Sequence, residues 1–119
     1  MFTQLPVEKE NTVALKFVGE VTSQDYHQLL PIVEKKIKDF EKINLYWELE
    51  NFKGWDWQSL WQEIQFDLSY ISSFKRVAIV GDKNLEQTVV GFIKPFVPFK
   101  LKFFESELKE KALTWVNEG

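Results

Sequence analysis

The chain has 119 residues, with 15 basic and 18 acidic side chains and a formal net charge of −3. That length fits one domain of ordinary size, and the acidic balance does not favour nucleic acid as a general partner. Cysteine is absent and His27 is the single histidine, which excludes disulfides, thiolate zinc sites, cysteine nucleophiles, His-rich metal centres and most triads.

Apolar residues make up 45% and charged residues 28%, a globular profile rather than a disordered one. Aromatic content is high at 16%, with eleven Phe and five Trp. Rings of that size dominate core and interface energetics, so the domain is either generously packed or keeps some rings for a partner. The opening MFTQLPVEKEN lacks a basic stretch followed by an apolar one, and no apolar run approaches the ~20 residues that span a bilayer. The expectation is a soluble cytoplasmic protein.

Along the chain, residues 2–7 read as an edge strand, because Pro6 cannot donate to a ladder. Glu10-Asn11 is a turn. Val13, Leu15 and Phe17 then alternate with less apolar neighbours as a strand that Gly19 ends. Thr22-Ser-Gln-Asp25 has the form of a capping box. Tyr26, Leu29, Leu30, Val33, Ile37 and Phe40 follow at helical spacing. Pro31 interrupts this helix and predicts a kink, or a place in its first turns. Residues 43–49 form a strand with Leu45, Trp47 and Leu49 on one face.

A second helix is expected from about Asp56 to Ser72. The run RVAIV at 76–80 suggests a strand buried on both faces, as in a parallel sheet. Gly81-Asp82 can cap a third helix bearing Leu85, Val89, Phe92 and Phe96, which Pro95 and Pro98 stop. Phe99, Leu101 and Phe103 alternate with Lys100 and Lys102 as a last strand. Ser106 is the expected cap of a final helix carrying Leu108, Ala112, Trp115 and Val116. The fold class is therefore α/β, in the order β-β-α-β-α-β-α-β-α, with a mostly parallel sheet and an antiparallel N-terminal edge strand.

Several of these motifs occur together in one family. Val21-Thr-x-x-Asp25-Tyr26, Pro31 within the first helix, Gly54-Trp55 before the second, Arg76-Val-Ala-Ile-Val-Gly-Asp82 and Ala112-x-x-Trp115 resemble the SpoIIAA-like family over nearly the whole chain. That family shares its fold with anti-anti-sigma-factor (STAS) domains and, more distantly, with CRAL-TRIO lipid-transfer domains. The resemblance implies a single domain over residues 1–119, non-enzymatic, that binds an apolar ligand and associates with membranes. The anti-anti-sigma factors carry a phosphorylatable serine between the third strand and the next helix. Here that stretch reads ELENFKGWDWQS, without a serine at the helix start, which argues against such a switch and against an anti-sigma partner.

The residues themselves offer little chemistry. Open α/β sheets bind ligands beyond the C-terminal ends of their strands, where this chain places Glu20, Glu48, Glu50, Asp82 and Glu105. Paired carboxylates can act as acid and base or hold a divalent metal, but they read equally as helix caps and solvated strand ends. No P-loop, GxGxxG or GxSxG is present. His27 is turned about 100° from the apolar stripe of its helix and has no evident nucleophile. The expectation is a protein that is not an enzyme and uses no cofactor or metal.

The rings are more informative. Trp57, Leu60, Trp61, Ile64, Leu68 and Ile71 fall in one ~100° sector of the second helix, a core stripe. Trp55, Phe66 and Tyr70 fall opposite and make a second, aromatic face. Trp55 can alternatively staple onto Leu60 ahead of an Asp56 cap. In the segment 92–104, three lysines stand among aromatic rings without an acid, a composition that suits an anionic membrane surface or a lid over an apolar pocket. Two readings result. In the first, an apolar or amphipathic, lipid-like molecule lies between the second and third helices and the sheet, contacted by Trp55, Trp57, Trp61, Phe92, Phe96 and Phe99. Lys94 and Lys100 meet its anionic group or an anionic membrane surface. In the alternative, the chain is a STAS-type regulatory module that binds a protein partner or a second copy of itself through the face bearing Phe66 and Tyr70.

Overall fold

A computed structural model describes residues 2–55, 72–84 and 97–119. Five strands form one sheet in sequential order: β1 (Phe2–Leu5), β2 (Thr12–Val21), β3 (Ile43–Trp55), β4 (Phe74–Gly81) and β5 (Lys100–Glu105). β1 pairs antiparallel with β2, and the three remaining pairings are parallel. The mostly parallel sheet and its antiparallel N-terminal edge agree with the sequence pattern. Two described helices, α1 (Ser23–Phe40) and α2 (Lys109–Asn117), cover opposite faces. The expected second helix, from about Asp56 to Ser72, lies outside the described residues except for Ser72, and the third, bearing Leu85 to Phe96, lies outside them.

The capping box starts α1 as expected. Thr22 Oγ1 accepts the Asp25 N–H at 3.2 Å, and the Thr22 N–H donates to Asp25 Oδ2 at 3.1 Å. Burial raises the Asp25 pKa, but hydrogen bonds to the ionised carboxylate, Thr22's among them, outweigh this and hold it below the usual carboxylate range. Thr22→Ala should cost about 1 kcal/mol, measured as a shift in the urea midpoint at unchanged slope. Pro31 lies in the interior of α1 rather than in its first turns. Pro31 and His27 both lie on its exposed side, where a proline interferes least with packing on the core.

The α1 stripe sets Leu29 and Val33 on a core of Val13, Leu15, Phe17, Leu45, Leu49, Val77 and Ile79. Phe40, at the end of the predicted stripe, is exposed instead, with Lys36 Nζ 5.6 Å from its ring centre. The other face packs Ala112 and Val116 of α2 on Ala14, Tyr46, Ala78 and Val80. Alanines on both sides of that contact let the short helix approach closely, and the Tyr46 ring fills the space beside them. RVAIV sends Val77 and Ile79 to the first core and Ala78 and Val80 to the second. That is the two-sided burial expected of an interior parallel strand.

Four boundaries differ from expectation. β1 ends at Leu5, ahead of Pro6. β2 continues through Gly19 to Val21, and β3 continues past Leu49 to Trp55. Ser106 caps nothing: Ser106–Leu108 is a 3-10 turn before α2, neither start has a side-chain cap, and Leu108 is 40% exposed. A 3-10 turn advances each residue further round the axis than an α turn, which takes Leu108 off the stripe that Ala112 and Val116 share.

Candidate functional site

Toward the carboxyl ends of β2 and β3 the strand pairing is irregular. Their pairing is regular from Thr12↔Asn44 to Val18↔Glu50 and resumes at Glu20↔Gly54 and Val21↔Trp55. Between these anchors β2 has one residue, Gly19, and β3 has three, Asn51 to Lys53. Gly19 has φ 79° and Asn51 has φ 48°. Glycine takes this left-handed conformation without a Cβ penalty, and asparagine tolerates it better than most residues. The bulge bends the two strands together and re-aims the residues beyond it. This explains why Gly19 does not end its strand: the sequence signal was a kink within pairing.

Just before the bulge, strand alternation turns Phe17 and Leu49 into the α1-side core and Lys16, Val18, Glu48 and Glu50 to the other face. α2 is about 14 Å long at 1.5 Å per residue, and these residues stay partly or largely open. Lys16 Nζ lies 3.3 Å from Glu50 Oε2 and 3.8 Å from Glu48 Oε2. Tyr46, buried beneath, donates its hydroxyl to Glu48 Oε1 at 2.8 Å. Burial pushes the Tyr46 phenol well above its ordinary pKa, and the Glu48 hydrogen bond and the charges of Glu48 and Glu110 push it the same way. Val18, amid these polar groups, is 47% exposed.

The arrangement is a fixed polar surface around one apolar side chain. Its carboxylate is held by a protonated phenol below and an ammonium beside it, a geometry that orders side chains rather than activating a nucleophile. Among the described residues no group of three or more His, Asp or Glu is placed to hold a metal ion. Of the strand-end acids singled out in the sequence, Glu48 and Glu50 come together here, while Asp82 and Glu20 are exposed at separate strand ends. The sequence pattern did not single out Lys16, Val18 or Tyr46. Alternation alone gives each of them a face, but only the β2–β3 register makes Lys16 the neighbour of Glu48.

Of the aromatic and basic candidates, Trp57, Trp61, Phe66, Tyr70, Phe92, Lys94 and Phe96 lie outside the described residues. Trp55 is the last residue of β3, paired with Val21. The helical wheel that grouped it with Phe66 and Tyr70 therefore does not apply to it, because a strand residue has a period of two. Phe99 packs on the α1-side core, its ring edge-on to Phe74 at 5.7 Å, and Lys100 opens β5 on the opposite face, exposed. A groove of about 560 Å³ lies elsewhere, between Pro6–Lys9 and α2, lined by Val7 and Leu113 with Glu8 and Glu110. No described helix is long and apolar enough to cross a membrane.

The model of the SpoIIAA-like family matches residues 12–117. The chain belongs to the SpoIIAA-like family. Among solved structures, it is similar to an uncharacterized protein of the DUF3478 family with a SpoIIAA-like fold from Shewanella loihica. That likeness has 27% identity and a TM-score of 0.76, covering 98% of this chain and 92% of that one. It is also similar in fold to the anti-sigma factor antagonist SpoIIAA in its unphosphorylated form. Here identity is 16% and the TM-score 0.63, over 98% of each chain. No curated protein matches the chain. In this SpoIIAA-like domain, the bulge toward the carboxyl ends of β2 and β3 lies beside the exposed Val18 and the Lys16, Glu48 and Glu50 ion pairs.

Proposed function

We propose that this SpoIIAA-like chain is a non-enzymatic regulatory module that acts by binding another protein, and that the partner docks on the β2–β3 rim. The observation that carries this is Val18, a large apolar side chain left 47% exposed within the ion-paired set Lys16, Glu48 and Glu50. Protein interfaces combine an apolar centre with a polar rim in this way. The fold likeness to an anti-sigma factor antagonist supports the same class, since that protein's name describes action on another protein. The phosphorylation switch is left out of the proposal, because Glu50–Trp55 contains no serine. The lipid-binding reading draws no support from the matched family or from either solved relative.

Val18→Lys tests the rim. It removes the apolar centre and places an ammonium opposite Glu50, its register partner, so thermal unfolding should change little. A partner cross-linked to the wild-type protein should be lost about tenfold or more, the cost of one central contact. Equal capture by both proteins would remove the rim as the docking surface. Flotation with anionic vesicles, together with lipid retained in native mass spectrometry, would put the lipid reading first. Light scattering on the wild type decides whether the partner is a second copy.

A further inference from the structure

The far edge of the sheet carries a second surface, separate from the rim. β5 pairs with β4 on one side, and no described strand pairs with its other side. Alternation puts Leu101 and Phe103 on the α1-side core and leaves Lys100 and Lys102 exposed on the α2 side. Lys100 stands opposite Arg76 in the parallel register, so two cationic residues share one cross-strand position. Arg76 is compensated: Nη1 donates to the Trp115 carbonyl at 2.7 Å, lies 3.7 Å from Glu118 Oε2, and the guanidinium sits 5.2 Å from the Trp115 ring centre. Lys102 Nζ sits over the Phe104 ring at 5.2 Å and 5.9 Å from that of Trp115. Neither Lys100 nor Lys102 has an ion-pair partner among the described residues.

We infer that the β5 edge docks an extended segment of a partner protein that carries acidic residues at alternate positions, adding it to the sheet as a further strand. Main-chain hydrogen bonds along the edge supply affinity, and alternate side chains supply specificity. Acids opposite Lys100 and Lys102 supply the ion-pair partners these lysines lack among the described residues, and apolar residues between them fall on the side of Leu101 and Phe103. Lysines on an edge strand also turn unrelated strands away. The same charges admit one class of strand, so the edge discriminates by sign.

The test uses the whole chain and two blocked peptides of equal length, one alternating Glu with Val, the other Lys with Val. The Glu peptide should shift the backbone amide resonances of residues 100–105 saturably, with affinity falling as salt shortens the screening length from about 10 Å at 0.1 M to about 3 Å at 1 M. Lys100→Glu/Lys102→Glu should lose the Glu peptide by about tenfold or more and gain the Lys peptide. Lys100→Gln/Lys102→Gln should only weaken the first, and Val18→Lys should leave it unchanged, which separates this surface from the rim. No shift in 100–105, equal binding of both peptides, or Glu-peptide binding that survives the charge reversal would overturn the proposal. So would binding to anionic vesicles with the same loss on reversal and no peptide shift, since the edge would then read a membrane surface.

Discussion

Asn44→Ala is expected to destabilise the protein by about 1–3 kcal/mol, the cost of stranding a part-buried backbone N–H. The reason lies in the second irregularity of the sheet. Ile43 pairs with Phe74 and Leu45 with Val77. Between those pairs β3 has one residue, Asn44, while β4 has two, Lys75 and Arg76. Such a bulge leaves a ladder group without its regular partner. Asn44, fully buried, supplies the substitute: its Oδ1 accepts the Arg76 N–H at 3.1 Å, while its own N–H donates to the Asn11 carbonyl at 2.9 Å. Alanine keeps the second bond and removes the first. Thr12, the register partner of Asn44, gives the contrast. Thr12 Oγ1 and Asn44 Nδ2 are both buried without a hydrogen-bond partner, but only Asn44 makes a side-chain bond in return, so Thr12→Val should be neutral or stabilising. Urea unfolding of both variants checks the pair; an Asn44→Ala midpoint equal to wild type would mean the Arg76 N–H finds another acceptor.

Tyr46→Ala should cost about 3–5 kcal/mol as a large-to-small change in the α2-side core, and Tyr46→Phe about 1.5–3 kcal/mol for the lost bond to a charged acceptor. The phenol also gives the protein a pH dependence. Its folded pKa lies above the unfolded value, so the unfolded chain releases that proton first. The stabilisation is therefore complete below the ordinary phenol pKa of about 10 and is lost as pH rises past it. Wild type should lose stability steeply above about pH 10, and Tyr46→Phe should show a shallower loss over the same range. Phenolate absorbance that appears before unfolding and accounts for every tyrosine would contradict a buried, Glu48-bound Tyr46.

The fold was legible where local chemistry and hydrophobic period agree. Thr22 and Asp25 announced α1, RVAIV announced a strand covered on both faces, and the Lys-apolar alternation of 99–103 announced β5. The motifs from Val21 to Trp115 pointed to the family that the match over residues 12–117 establishes. Ser106 misled because a serine after a strand is a fair cap signal, and a 3-10 turn answers the same need for turning the chain. Gly19 misled for a related reason. Glycine marks a left-handed residue, and whether the strand stops there or bulges depends on β3 continuing alongside it.

The candidate site was less legible. Glu48 and Glu50 are visible as strand-end acids, but Lys16 lies about thirty residues away in sequence and meets them only through register. Tyr46 reads as an ordinary apolar strand residue until Glu48 is found within reach of its hydroxyl. Composition and period by themselves determined the class of domain, its strands and the faces of α1, because those follow from burying apolar side chains at intervals of two and about 3.6 residues. Which strands are neighbours, where two of them bulge, and therefore which polar side chains surround Val18 were decided by the tertiary structure. Parallel pairing joins residues distant in the chain, and no local pattern carries its register.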